Sequence, residues 1–421
     1  MGMLSTFEGM AWRLGVGRLG RNAILSTVGL GVRAVIQAGY LLVLSHWMGA
    51  KGYGLFAGSV SAAILISPLS GWGVAVVLTQ RVARNRSESR STWATAVLQV
   101  LASGVALIGL LMAGVAVLFT DRLDFGSMLL LGVAELVALP LAQAATSLCL
   151  ALERGAAAAL SMCLGPICRL LTVLCGLLAG IDGTASHVSW LHFGGSIVGA
   201  LIAYGLVVGL NGSPRWSQRL PMGEVAQDGT RYAVGALVST SYLEVDKVLL
   251  LQVLGATVAG TYTAAFRVMS VFALPVAALI SAALPRLFAQ HGTAAGGRTL
   301  KIITLSGVGY ALMATIVAVV ISPWMPEVFG ESFSASSHYL LLLAPWTVLY
   351  ALHQAGATGL TAFNRQMSRI GVETAGFVLV VVLNLALYPY AGASGAAWAL
   401  LFAEVFMASC CWWLLRRASH S

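Results

Sequence analysis

Of the 421 residues, 58% are hydrophobic and only 9% are charged, and the mean hydropathy is +0.87. An ordinary soluble domain carries about a quarter charged residues, so this composition excludes one and places the chain in a bilayer. The net charge of +9 suits contact with anionic lipid headgroups; membrane lipids are expected partners and nucleic acid is not.

Crossing the hydrocarbon takes about 20 apolar residues per helix. Twelve runs of that kind occur, at 24–48, 55–80, 93–119, 127–150, 158–180, 189–210, 232–254, 261–283, 302–322, 339–363, 371–389 and 396–415. They are too long and uniform for barrel strands, which alternate polar and apolar over about ten residues. An all-α polytopic membrane protein of twelve transmembrane helices is therefore expected. The residues before the first run carry Arg13, Arg18 and Arg21 without a separate short apolar core, so that run is expected to act as its own uncleaved signal. The opening six residues fit the myristoylation pattern, an anchor that twelve spans make unnecessary.

Between the first two runs lies Gly49-Ala50-Lys51-Gly52-Tyr53-Gly54, and 206 residues later Gly255-Ala256-Thr257-Val258-Ala259-Gly260 joins the seventh and eighth. Pro68 follows Gly49 by 19 residues and Pro275 follows Gly255 by 20; Arg81 and Arg286 follow by 32 and 31. The spacing predicts a duplicated half, hence two six-helix bundles, 1–210 and 232–421, related by a parallel pseudo-twofold repeat as in secondary transporters. Residues 211–231, with Gly212, Pro214, Pro221, Gly223 and Gly229, read as a cytoplasmic linker. Pro68, Pro140, Pro166 and Pro275 are expected to kink helices.

Counting connectors alternately puts eighteen basic residues on one side, among them Arg81, Arg84, Arg86, Arg90, Arg416 and Arg417, against only Lys51 and Arg122 on the other. This positive-inside asymmetry predicts that both termini are cytoplasmic. The six cysteines all fall within the runs without metal-ligand spacing, so they read as small apolar fillers. No metal or cofactor is expected.

Four basic residues lie at span depth: Arg33, Arg169, Lys247 and Arg267. Intramembrane charges face polar cavities or partners. Ser26, Arg33, Gln37 and Tyr40 recur at steps of 7, 4 and 3, which stacks them on one helix face. Thr240, Ser241, Glu244 and Lys247 gather similarly in the seventh run, with Asp246 roughly opposite. Facing stripes in a cavity between the bundles would bind an anionic head group, because guanidinium engages diphosphate as a planar, charge-assisted fork. The opposing reading is structural: Glu135, Glu244, Asp246 and Glu404 equal the four bases in number, and Glu244 and Lys247 at i, i+3 are placed to pair. Arg33 has no acid in its own run. His46, His187, His192 and His353 read as interfacial or packing residues.

The stretch Leu44-Ser-His-Trp-Met-Gly-Ala-Lys-Gly-Tyr-Gly-Leu-Phe56 resembles the first outer loop of bacterial polysaccharide flippases. Tyr242-Leu-Glu-Val-Asp-Lys-Val-Leu-Leu250, Leu254-Gly-Ala-Thr-Val-Ala-Gly-Thr-Tyr-Thr-Ala-Ala-Phe-Arg267, Ala283-Leu-Pro-Arg286 and Ala391-Gly-Ala-Ser-Gly-Ala-Ala-Trp398 resemble that family's aspartate-plus-base signature, glycine-tyrosine loop, closing proline and last outer loop. His46 departs from it, standing where the family often has arginine. The resemblance implies an O-antigen or exopolysaccharide repeat-unit flippase of the multidrug/oligosaccharidyl-lipid/polysaccharide exporter superfamily, with a MATE-like fold, in the bacterial inner membrane. It implies no enzyme: the substrate and partner is a polyprenyl-diphosphate-linked oligosaccharide, moved to the outer leaflet by alternating access. A polysaccharide polymerase or assembly machinery is a further candidate partner. The implied cavity cations are Arg33, Lys247 and Arg267, with Gln37, Tyr40 and Arg169 as further substrate-binding candidates; Asp246 and Glu244 are candidates to carry a coupling proton or sodium ion. The rivals are a MATE-type cation antiporter, which would favour an acidic cavity, and a polyprenyl-linked glycan polymerase or ligase, which would display a long outer catalytic loop.

Overall fold

The computed structural model describes residues 18–118, 123–290 and 294–419; Arg13, Arg122 and the opening six-residue pattern lie outside them. Among the described residues there is no strand. In chain order come α1 (Arg18–Ile66), a 3-10 turn (Ser67–Gly73), α2 (Val74–Arg84), α3 (Ser89–Leu118), α4 (Phe125–Val133), a π turn (Ala134–Ala138), α5 (Leu139–Ala151), α6 (Gly155–Leu178) and α7 (Ala185–Asn211). They are followed by α8 (Met222–Leu254), α9 (Ala256–Ala289), α10 (Ala294–Ile321), α11 (Met325–Phe329), α12 (Ala335–Leu343), α13 (Trp346–Ala362), α14 (Gln366–Ala391) and α15 (Ser394–Ser419). Helix satisfies every backbone group locally, as lipid requires. The apolar surface points outward: α10 exposes Leu305, Leu312, Ile316 and Val320 along one stripe.

Ten described stretches are long and apolar enough to cross a membrane. Two causes reduce the twelve expected runs to ten. Leu25–Arg84 counts once although it holds two helices joined at Gly49 (φ 64°, ψ 176°), and α8, with Glu244, Asp246 and Lys247, is too polar to count. Of the four prolines, Pro68 lies in the 3-10 turn, Pro140 in the first turn of α5, Pro166 inside α6 and Pro275 within α9.

The chain divides into two compact units. Of the described residues, the first holds 18–43, Ile66–Leu118 and Leu123–Leu237; the second holds Leu44–Leu65 and those from Val238 onward. The expected linker is only half irregular, because α8 begins at Met222 directly after Pro221, whose fixed φ suits a helix start. In the first unit α2, α3, α5, α6 and α7 pack around Leu78, Val82, Trp93 and Leu148. In the second, α9, α10 and α13 meet at Val276, Ala311 and Ala351.

Both copies of the glycine motif lie in the second unit, where they touch. Gly49 and Gly255 share one left-handed, extended conformation (φ 64°, ψ 176° and φ 86°, ψ 170°) that disfavours any side chain. A Cβ on Gly54 would strike the Ala256 carbonyl and the Gly260 amide, and one on Gly260 would strike the Ala50 carbonyl and the Gly54 amide. This is the backbone-on-backbone crossing that small residues permit between membrane helices. Ser332 Oγ accepts the Ala50 amide at 3.1 Å and fixes the turn.

Gly54→Ala or Gly260→Ala is expected to lose about 1–3 kcal/mol, the range for overpacking, read as a lower melting temperature in detergent. Gly109→Ala, with nothing near its added methyl, serves as the unchanged control; equal melting of all three proteins would refute the tight crossing.

Asp124 caps α4, accepting the Ser127 amide at 2.9 Å and the Ser186 hydroxyl at 2.6 Å. The Ser186 hydroxyl first, then the Ser127 amide, hold its carboxyl below the ordinary aspartate range. A lowered native value means the cap contributes fully above the unfolded value of about 3.9 and is lost as pH falls through the native one. Asp124→Asn should therefore flatten part of the acid limb of the melting profile.

Candidate functional site

In the first unit, Arg33, Gln37 and Tyr40 lie on α1, with Gln37 exposed and the other two half-buried. Glu135 sits in the π turn, a rare local widening often found at functional sites. Arg169 of α6 binds it at 2.8 Å through Nη2 while its Nε donates to Ser196 Oγ at 2.8 Å. His192 of α7 bridges onward, with Nε2 2.8 Å from Glu135 and Nδ1 2.7 Å from the Tyr40 hydroxyl. A neutral imidazole satisfies both contacts: Nε2–H donates to the carboxylate and Nδ1 accepts from tyrosine. Arg169 and Glu135 act electrostatically on Arg33, yet among the described residues no carboxylate lies within ion-pair distance of it.

The second unit holds a sealed pair and a forked one. Asp246 and Lys247 are neighbours on α8, about 100° apart around the helix, and the lysine folds back to place Nζ 2.8 Å from Asp246 Oδ1, with neither side chain exposed. Lys247 Nζ also donates to the Leu243 carbonyl and stands 3.2 Å from the centre of the Phe266 ring. Tyr262 donates to Asp246 Oδ2 at 2.8 Å. Arg267 of α9 grips Glu244 in a two-pronged fork, 3.0 and 3.1 Å, and Ser61 donates to the same carboxylate at 2.6 Å. The arginine side chain remains 29% exposed.

Two further buried carboxylates complete the set. Glu373 takes Arg369 at 2.7 Å and Ser239 at 2.6 Å. Glu404 of α15 takes His353 Nδ1 at 2.9 Å, the Trp346 indole at 3.1 Å and, in a long contact, the Tyr242 hydroxyl at 3.4 Å.

Of the residues singled out in the sequence, Tyr40 and Arg169 meet in one network, Arg33 stands beside it, and Glu244 with Arg267 and Asp246 with Lys247 form two pairs. The expected i, i+3 partnership of Glu244 and Lys247 gives way to these, because the lysine stem is long enough to reach back to its neighbour. Lys247 offers no surface to a ligand here. His192 and His353, read as packing residues, each touch a buried glutamate. The clue available in the sequence was the presence of acids at span depth elsewhere in the chain, but helical spacing cannot show contacts between runs.

This all-helical arrangement is the fold of the MATE transporters. An inward-facing multidrug resistance MATE family transporter of the MOP superfamily superposes with a TM-score of 0.74 at 15% identity, covering 94% of this chain and 98% of its own. The MATE multidrug transporter DinF-BH gives 0.69 at 16% identity, covering 95% of each chain. A MOP superfamily transporter from Pyrococcus furiosus, described as having a binding pocket of reverse polarity, gives 0.64 at 14%, covering 95% and 96%. The molecule is thus a multi-pass membrane protein with the MATE-like fold. Residues 19–291 match the family described as polysaccharide biosynthesis protein, and the chain belongs to that family. No curated protein matches it in sequence.

Lys247→Ala would leave Asp246 buried without a counter-charge, a change that typically costs about 3–5 kcal/mol. A sharply lower folded yield is expected, with recovery in the Asp246→Asn/Lys247→Met double variant, both judged by size-exclusion profile and melting in detergent. Normal stability of Lys247→Ala would contradict the sealed pair.

Proposed function

We propose that this protein is a flippase that carries polyprenyl-diphosphate-linked oligosaccharide from the cytoplasmic to the outer leaflet of the bacterial inner membrane by alternating exposure, and that Arg33 binds the diphosphate. The observation supporting this is the solitary charge of Arg33. A cation at span depth is expensive, and the other described ones are compensated: Arg169 by Glu135, Lys247 by Asp246, Arg267 by Glu244. Arg33 is half-buried with no such partner among the described residues, so an anionic ligand would neutralise it. Its fork engages two phosphate oxygens at once, and Gln37 and Tyr40 on the same helix supply amide and hydroxyl groups for neighbouring oxygens.

The family and the reverse-polarity pocket of the fold's Pyrococcus furiosus member are in keeping with an anionic cargo. A cation antiporter has less support, since Glu135, Glu244, Asp246 and Glu373 each already hold a lysine or arginine. The arginines at 81–90 and 416–417 favour a cytoplasmic location for both termini, and no covalent chemistry is required of the chain.

In vesicles loaded with a polyprenyl-diphosphate-linked oligosaccharide, Arg33→Ala should lower transport per folded molecule at least tenfold without loss of protein. Arg33→Lys should restore only part, because it keeps the charge and loses the fork. Normal transport per molecule in Arg33→Ala would remove this residue from the site.

A further inference from the structure

We propose that Glu404 and His353 form a proton-binding site within the second unit. The case begins with charge balance. Among the described carboxylates at span depth, Glu135, Glu244 and Glu373 are neutralised by arginines, which keep their protons, and Asp246 is sealed against Lys247. Glu404 has only a histidine. Both side chains are fully buried, where an uncompensated carboxylate is strongly disfavoured. The pair is electrically neutral only when it holds one dissociable proton, shared between imidazole and carboxylate.

The hydrogen bonds show where that proton is exchanged. Trp346 and Tyr242 donate to Glu404 Oε1 and His353 Nδ1 lies on Oε2, so the carboxylate is supplied with donors on both oxygens. His353 Nε2 is buried and has no partner among the described residues. A buried polar atom left unsatisfied costs about 1–3 kcal/mol, and here it is an imidazole nitrogen able to take a proton from water. When it does, the ring becomes an imidazolium beside a carboxylate; when the proton leaves to water, the ring returns to the neutral form that still donates from Nδ1. His192 makes the contrast: its carboxylate is already neutralised by Arg169 and both its ring nitrogens are occupied.

Other groups around the pair are few and committed. Tyr242, Tyr350 and Cys411 act electrostatically with Glu404. From α14, Glu373 and Arg369 bind one another. From α9, Arg267 is bound to Glu244 and Tyr262 to Asp246, and α10 contributes Tyr310 near Tyr350. None of these supplies a second cation to Glu404 within ion-pair distance. Of the carriers suggested by sequence, Glu244 is held by Arg267, which keeps its proton, and Asp246 is enclosed by Lys247 and Tyr262; the coupling proton is assigned to Glu404 and His353, where one ring nitrogen has no partner among the described residues. The assignment of proton binding stands without a substrate; its use in coupling rests on the transporter reading.

The test is pH-difference infrared spectroscopy on the full-length protein in liposomes without substrate. A reversible imidazole and carboxyl difference signal is expected, abolished by Glu404→Gln and by His353→Asn, unchanged in His192→Asn and in Arg33→Ala. Trp346→Phe removes one donor to the carboxylate and should move the midpoint of the signal, which keeps the test decisive should the first two variants fold poorly. An unchanged signal in folded Glu404→Gln, or an unmoved midpoint in Trp346→Phe, would overturn the site. With a pH-sensitive dye inside the vesicles and an imposed membrane potential, proton flux should fall at least tenfold in Glu404→Gln; loss of lipid transport in Arg33→Ala with an intact infrared signal would separate the anion site from the proton site.

Discussion

A charge inside hydrocarbon must be neutralised, and this demand organises the interior of the protein. Removing an ion from water costs several kcal/mol even after the surroundings relax, so the buried carboxylates recruit partners, some on their own helix, as Asp246 and Glu373 do, and some on another. Glu135 alone ties the π turn to α6 and α7, and His192 extends that tie to α1. Glu244 binds α8 to α9 through Arg267 and to α1 through Ser61. Once such pairs are formed, an unmatched cation in the first unit and an acid with a titratable partner in the second are what is left. Those two residues, Arg33 and Glu404, are where the chemistry of transport is proposed.

The same demand explains what the sequence made visible. Twelve apolar runs and the glycine motifs are local patterns, and the helices and the turns at Gly49 and Gly255 follow them closely. Four bases and five acids, Glu373 included, lie within the runs, but counting does not say who pairs with whom. Asp246 and Lys247 look divergent on a helical wheel and are nonetheless bonded, because a lysine stem can curl by a residue. Glu373 and Arg369 pair at i, i+4 across the start of the eleventh apolar run, where the arginine falls just outside it. The importance of His353 depends on helices α13 and α15 meeting, with a sequence separation of 51 between it and Glu404, a distance no periodicity spans.

Fold likeness leaves the polarity of the interior to this chain's own residues. Identity of 14–16% to the solved MATE-like structures conserves the helical scaffold and leaves the interior side chains free to differ. Here acids are consumed by structural pairing, and the half-buried guanidinium of Arg33 remains. Packing and interior charge thus fall to different residues: the small and apolar ones that let helices approach, and a handful of charges that decide what the interior will tolerate.

The crossing of Gly54 and Gly260 carries a further consequence. Adding or subtracting 206 converts one half of that contact into the other: Gly54 against Ala256 and Gly260 becomes Gly260 against Ala50 and Gly54. Such reciprocity is the defining property of an isologous interface, in which one surface patch meets its own copy. A half-length ancestor carrying this motif would have closed on itself as a homodimer through the same glycines, where any substitution struck twice. Within one chain the two copies are free to differ: Tyr53 packs against Phe333 while its counterpart is the small Ala259, an asymmetry that no symmetric dimer could encode.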